Sequence, residues 1–84
     1  MDAIRAVLRT TQDCSLCRQA EAALRRIARD VPLDLELAEV PRDSELALRA
    51  PIVEIGGVEV QAGKVSEFRL RNWLSERGYP DAAR

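Results

Sequence analysis

The pattern of apolar and polar positions predicts the first three elements of the chain. Residues 4–8 are apolar apart from Arg5, which is typical of a short buried strand. Apolar residues then recur every three or four positions with charged residues between them, and this spacing predicts an amphipathic helix over 14–29. Pro32 ends that helix. The alternation of leucine with acidic residues over 33–37 predicts a strand with one solvated face.

The second half of the chain predicts a short helix, a hairpin and a final helix. Residues 43–49 are helix-forming, but they are long enough for only about two turns. Two β-rich runs, 52–55 and 58–60, flank a Gly-Gly pair. Glycine readily adopts the positive φ angles of a tight hairpin turn, so these runs are predicted to form a β-hairpin. A last amphipathic helix is predicted over 65–77.

The resulting order of elements is β-α-β-(short α)-β-β-α. A long helix between two strands implies a parallel right-handed crossover, and the hairpin adds an antiparallel pair. The predicted fold class is therefore α/β, with a four-stranded mixed sheet flanked by helices. No repeat, low-complexity tract or linker divides the chain, so we predict a single domain over 1–84.

Composition and charge exclude several classes of function. Lys and Arg total 13 and Asp and Glu total 14, so the positive excess typical of a nucleic-acid-binding protein is missing. The sequence has no histidine, which rules out a Ser-His-Asp triad, a Cys-His pair and an imidazole metal site. The apolar runs are too short to span a membrane, and the first residues lack the long apolar run of a signal peptide. We therefore expect no nucleic-acid or membrane partner.

Two cysteines, Cys14 and Cys17, are the candidate reactive groups. A disulfide between such close neighbours constrains the unfolded chain very little, so it is a poor means of stabilising a secreted domain. We expect a cytoplasmic protein in which both thiols stay reduced until they react. The pair falls at the start of the first predicted helix, with Asp13 as the expected helix cap.

The helix start makes the two thiols unequal. Free backbone N–H groups and the positive end of the helix dipole favour the thiolate form of Cys14. Cys17 lies beside the apolar stripe of the helix and is expected to be more buried. This asymmetry suits a nucleophile, Cys14, that forms a mixed disulfide, and a resolving thiol, Cys17, that then releases the substrate.

Two other interpretations of the cysteine pair stay open. A structural zinc site needs four Cys or His ligands, so a zinc ion would have to be shared between two subunits that each supply two cysteines. Alternatively, both cysteines are inert and simply help to pack the first helix. The strand–loop–CxxC–helix context within a β-α-β unit favours the redox interpretation.

A proline directly before the third predicted strand is the second notable feature. A proline at the first position of a strand is tolerated because its missing N–H is not needed in the ladder. Ala50-Pro51 is thus either a simple helix stop and strand start or a cis peptide bond placed opposite the cysteines. The residues alone do not decide between the two.

These features together resemble the glutaredoxins, and above all the small bacterial glutaredoxin-like proteins. The matching segments are Cys14-Ser15-Leu16-Cys17, Ala50-Pro51-Ile52-Val53, Gly63-Lys64-Val65 and Leu70-Arg71-Asn72-Trp73-Leu74. The resemblance spans nearly the whole chain and implies the thioredoxin fold. It implies a thiol-disulfide oxidoreductase with Cys14 as nucleophile and Cys17 as resolver. It also implies that Pro51 is cis and faces the cysteines, and that the backbone of Ala50 pairs with the substrate.

The resemblance further implies the ligands and the residues that contact them. No bound cofactor is implied, and glutathione or a dithiol reductant is the implied co-substrate. The implied substrate is a disulfide-containing protein or a small thiol compound, with Ala50, Pro51, Arg9 and Gly63 in the binding site. The basic residue that such proteins often carry three positions before the first cysteine is Thr11 here. The alternative function is a non-catalytic thioredoxin-fold binding module whose cysteine pair is redox-sensitive.

Overall fold

The computed structural model describes residues 3–79 and 82, and it contains seven helices and strands. They are β1 (Ile4–Thr10), α1 (Ser15–Ile27), β2 (Leu33–Glu39), α2 (Glu45–Arg49), β3 (Ile52–Ile55), β4 (Val58–Ala62) and α3 (Glu67–Glu76). The predicted order of elements is confirmed. β1, β2 and β4 each continue two residues beyond their predicted ends, and all three helices are shorter than predicted. The extreme ends of the predicted 1–84 domain lie outside the described residues.

The strands form one mixed sheet in the order β2-β1-β3-β4. β1 pairs in parallel with β2, from Ile4 opposite Leu33 to Thr10 opposite Glu39. β3 runs antiparallel to both β1 and β4. The sheet and its flanking helices confirm the α/β fold class.

The hydrophobic core lies on the face of the sheet that α1 and α3 cover. Successive side chains of a strand point to opposite faces, so Ala6 and Leu8 enter the core while Arg5 and Arg9 point away from it. The buried core residues are Ala6, Leu8, Ala20, Leu24, Ile27, Val31, Val53, Ile55, Leu70, Leu74 and Ala82. α1 and α3 therefore form the core together with the sheet, and the start of α1 carries the two cysteines.

Serine caps determine where the two later helices begin. The Oγ of Ser44 accepts a hydrogen bond from the backbone N–H of Leu46 at 3.0 Å, and the Oγ of Ser66 accepts one from the N–H of Arg69 at 3.2 Å. A cap satisfies a backbone N–H that has no partner within the helix. α3 consequently begins after Ser66, two residues later than the apolar pattern predicted.

Arg71 joins α3 to the segment that follows α1. Its guanidinium contacts the carboxylates of Asp30 at 2.8 Å and Glu67 at 3.0 Å, and it also donates to the carbonyl oxygen of Ala82 at 3.2 Å. Burial opposes the charge, but the hydrogen bonds to Asp30 and Glu67 and the attraction of their charges outweigh it and raise the pKa of Arg71. Because Arg26 of α1 also binds Glu67, at 2.8 Å, two arginines hold one carboxylate between the helices.

We expect the contribution of Glu67 to stability to disappear in acid. Burial opposes its ionisation, but hydrogen bonds from Arg26 and Arg71 outweigh this effect and lower the pKa of Glu67. A lowered folded pKa gives stability that is fully present above the unfolded value, about 4.3, and that is lost as the pH falls through the folded pKa. Glu67→Gln should therefore cost about 1 kcal/mol at neutral pH and progressively less below about pH 4.3.

Urea unfolding midpoints measured from pH 7 down to pH 3 test this expectation. The matched control is Glu76→Gln, which removes an exposed carboxylate from the last turn of the same helix. The unfolding midpoint of this control should differ little from that of the wild type at every pH. A Glu67→Gln deficit of constant size at every pH would contradict the role given to the ionised carboxylate.

Candidate functional site

Cys14 itself is the cap of α1. Its backbone is extended, and its Sγ accepts a hydrogen bond from the backbone N–H of Cys17 at 3.1 Å. The expectation that Asp13 caps this helix is wrong. Asp13 has a positive φ of 54°, and its carboxylate contacts the guanidinium of Arg42 at 2.8 Å. A sulfur atom, rather than a carboxylate, therefore faces the positive end of the helix dipole.

The two cysteines are joined by a disulfide in the structure, with their Cα atoms 5.2 Å apart. Cys14 is half-buried, whereas Cys17 is only 3% exposed. Cys17 is the more buried of the two, as expected, because it lies on the apolar side of α1 with Ala20 and Leu24. An incoming molecule can therefore approach Cys14 more easily than Cys17.

A groove of about 120 Å³ lies beside the disulfide and is called the cysteine groove below. It is formed by the end of β1, the residue that follows, the first two turns of α1 and one residue of β2. Its lining residues are Thr10, Thr11, Cys14, Cys17, Arg18, Glu21 and Leu37. The groove thus combines hydroxyl groups, both cysteines, two charged side chains and one apolar side chain that is 44% exposed, that of Leu37.

Arg18 is the basic residue of this groove, and it was not singled out from the sequence. It lies four residues after Cys14, so both share one face of the helix start. Its backbone N–H donates to the carbonyl oxygen of Cys14 at 3.2 Å. The i,i+4 spacing from the first cysteine is the sequence signal that identifies it.

Pro51 lies at the same end of the sheet as the cysteines. The Ala50–Pro51 peptide bond is cis. In the antiparallel pairing of β1 with β3, Arg9 lies opposite Ile52. Pro51, which precedes Ile52, therefore lies level with the end of β1. The chain leads from that end of β1 to Cys14. Ala50, Pro51 and the end of β1 therefore come together at one end of the sheet.

Gly63 is hydrogen-bonded to the Pro51 segment. Its N–H donates to the carbonyl oxygen of Pro51 at 2.8 Å and to that of Arg49 at 3.1 Å. Its φ of +81° is in the region that favours glycine. The structure thus brings Ala50, Pro51 and Gly63 together, although none of the three lines the cysteine groove.

Arg9 is not among the residues that the structure places beside the cysteines. Its Nε donates to the carboxylate of Glu54 at 2.8 Å, and that hydrogen bond raises the pKa of Arg9. The side chain lines a different hollow, of about 280 Å³, on the face of the sheet away from α1 and α3. Strand alternation explains this position, because Thr10 points to the side of the cysteines and its neighbour therefore points to the other side.

Two kinds of feature are absent from the described residues: a metal-binding group of side chains and a membrane-spanning helix. Within 3–79 and 82, no three His, Cys, Asp or Glu side chains form a group that could hold a metal ion. No helix in the same part of the chain is both long and apolar enough to cross a membrane.

Comparison with known proteins identifies the fold. No protein-family model matches the chain, and no curated protein sequence matches it. A solved structure does match: thioredoxin O2 from Arabidopsis thaliana in the oxidized state, with a TM-score of 0.55 and 20% sequence identity. The match covers 92% of this chain and 76% of that chain. The chain has the thioredoxin fold. The fold implied by the sequence resemblance is therefore confirmed.

Within this thioredoxin fold, the residues singled out in the sequence fall into three groups. Cys14 and Cys17 form the disulfide at the start of α1. The backbone of Ala50, Pro51 and Gly63 forms a second group at the same end of the sheet. Arg9 is separate from both groups, and Arg18, which the sequence analysis did not name, is the arginine in the cysteine groove.

Proposed function

We propose that this thioredoxin-fold protein is a glutaredoxin-like thiol-disulfide oxidoreductase in which Cys14 and Cys17 cycle between dithiol and disulfide. The observation that carries the proposal is that Cys14 caps α1 and accepts a hydrogen bond from the N–H of Cys17 at 3.1 Å. Hydrogen bonding to the sulfur and the positive end of the helix dipole favour the thiolate, which is the reactive form of cysteine.

The proposed reaction has two exchange steps. The Cys14 thiolate attacks one sulfur of the substrate disulfide, forms a mixed disulfide and expels a thiolate that takes a proton from solvent. Cys17 then loses its proton and attacks the Sγ of Cys14, which releases the second substrate thiol and closes the protein disulfide. Two electrons thereby pass from the cysteine pair to the substrate. Two thiols of a reductant, from glutathione or from a dithiol, return them.

The geometry supports this order of attack. Cys17 is 3% exposed, so the half-buried Cys14 is the sulfur that an external disulfide can reach. The Cα atoms of the pair are 5.2 Å apart, inside the range that a disulfide spans. The resolving step therefore requires no large movement of the backbone.

The partners proposed for this reaction follow from its chemistry. The substrate is a disulfide, in a protein or formed from a small thiol compound; the reductant is glutathione or a dithiol, and no bound cofactor takes part. The cytoplasm is the proposed compartment, because a reducing environment regenerates the dithiol. We assign Ala50, Pro51 and Gly63 to substrate binding because their backbone lies at the same end of the sheet as Cys14.

The reactivity of the reduced protein tests the proposed function. Alkylation of Cys14 by iodoacetamide, measured against pH, should have a midpoint below that of a free thiol, about 8.5. Hydroxyethyl disulfide should be turned over many times per molecule when a reductant is supplied. A midpoint at or above that of a free thiol, together with no turnover, would contradict the proposal.

A redox-sensitive binding module is the second candidate function. The observation that favours it is the engagement of Arg9 with Glu54, which keeps this basic side chain away from the cysteine groove. Such a module would form and lose its disulfide reversibly in defined thiol buffers. It would not accelerate substrate reduction above the rate of the reductant alone, whereas repeated turnover would exclude it.

A further inference from the structure

We propose that Arg18 selects the substrate of the cysteine pair by binding a carboxylate carried close to the substrate sulfur. This inference rests on the proposed oxidoreductase function and names a class of substrate for it. The substrate class is a disulfide with a carboxylate a few bonds from sulfur, either in a small molecule or at an acidic or terminal residue beside a peptide cysteine.

The position of Arg18 places its charge beside the reacting sulfur. Helical side chains lean toward the helix N-terminus and cover the turn before their own Cα. Arg18 follows Cys14 by four residues, so its side chain covers the first turn of α1, and both residues line the cysteine groove. A carboxylate bound to the guanidinium would therefore hold its sulfur next to Cys14.

Arg18 is available for such a ligand because its neighbours are already paired. Glu21, the acidic residue of the groove, accepts a hydrogen bond from Arg25 at 2.9 Å. Asp13 accepts one from Arg42 at 2.8 Å. Arg18 is exposed and forms no salt bridge with any side chain in the described part of the chain.

The remaining walls of the groove complement a small carboxylated disulfide. Thr10 and Thr11 bring hydroxyl groups that can donate to a carboxylate oxygen, and Leu37 offers an apolar surface to the carbon chain beside the sulfur. A planar guanidinium can bind both oxygens of a carboxylate at once, which adds orientation to the attraction. The groove of about 120 Å³ suits a short group rather than an extended one.

Three small disulfides of different charge test the inference: dithiodipropionate is anionic, hydroxyethyl disulfide is neutral and cystamine is cationic. The wild type should show the highest kcat/KM with dithiodipropionate. Arg18→Gln should lower the ratio of this value to that for hydroxyethyl disulfide about fivefold, mainly through the KM for dithiodipropionate. A smaller loss shared by all three disulfides should accompany it, because the same charge favours the Cys14 thiolate. Raised ionic strength should also reduce the preference of the wild type for dithiodipropionate over hydroxyethyl disulfide, because salt screens the attraction between the guanidinium and the carboxylate.

Two further variants distinguish carboxylate binding by Arg18 from a general effect of positive charge on α1. Arg29→Gln removes the same charge from an exposed position just beyond the other end of α1, and its substrate preference should equal that of the wild type. Arg18→Lys should keep part of the preference, because the charge stays while the paired hydrogen bonds are lost.

The outcomes distinguish this inference from the proposed function. Equal losses with all three disulfides in Arg18→Gln would show a general effect on the thiolate and would overturn the selection of a carboxylate. Unchanged preference in Arg18→Gln, with the wild type active, would overturn the same inference and leave the oxidoreductase intact. A wild type that turns over none of the disulfides would overturn the proposed function itself, and the role of Arg18 with it.

Discussion

Cys14→Ser is expected to lower the turnover of disulfide substrates by at least about a thousandfold, because a serine hydroxyl does not attack a disulfide sulfur. Cys17→Ser should behave differently. It keeps the nucleophile but lacks the resolving thiol, so a mixed disulfide with the substrate should accumulate on Cys14. Steady-state turnover and the mass of the intact protein after incubation with hydroxyethyl disulfide measure the two effects.

Ser15→Ala is the matched control, because it changes a residue between the cysteines and leaves both thiols in place. It should retain most of the wild-type turnover and accumulate no adduct. Full activity of Cys14→Ser would rule out the assigned nucleophile. An adduct trapped on Cys17 in Cys14→Ser, but none on Cys14 in Cys17→Ser, would reverse the order of the two steps.

Leu24→Ala is expected to cause the largest loss of stability among the predicted effects. Leu24 is fully buried between α1 and the sheet, and truncation of such a leucine costs about 3 kcal/mol through lost burial and the cavity left behind. A domain of this size has a total stability of only about 4–13 kcal/mol. The urea unfolding midpoint, measured on oxidised protein, should therefore fall steeply.

Leu48→Ala supplies the comparison for this loss. Leu48 is 89% exposed on α2, so the same chemical change removes almost no buried surface. Its effect should stay within about 0.5 kcal/mol of the wild type. Similar losses for the two variants would show that α1 does not pack in the core as described.

The fold was predictable because its signals are local. Hydrophobic periodicity identified α1, and the Gly-Gly pair identified the hairpin, where Gly56 and Gly57 have φ of +60° and +84°. Element ends were less predictable because they depend on partners. Thr10 is a strand residue because it pairs with Glu39 of β2, a contact that no local pattern contains.

The sequence predicted which residues of the site react, but it did not predict how the residues around them are arranged. The CxxC spacing at a helix start identified the cysteines, but the sequence offered no way to see that Cys14 would take the capping position from Asp13. The role expected of Arg9 came from the family resemblance, whereas the position of its side chain is set by where β1 ends. A strand ending at residue 8 would leave Arg9 in a loop, whereas the observed strand continues and fixes Arg9 on the face opposite the cysteines.

The hydrogen bond from Cys17 N–H to the Sγ of Cys14 links folding to reduction potential through a thermodynamic cycle. The atom that caps α1 is also the atom that reacts. The free energy that this bond gives the thiolate therefore affects both the stability of the reduced protein and the reduction potential of the pair. It stabilises the reduced folded chain relative to the reduced unfolded chain. Because the same N–H also contacts the Sγ of Cys14 in the disulfide form, only the excess of this free energy in the thiolate makes the pair a stronger oxidant, at about 1.4 kcal/mol for every 30 mV. The difference between the unfolding free energies of the reduced and the oxidised protein, and the potential of the pair relative to that in the unfolded chain, would thus measure one quantity by two routes.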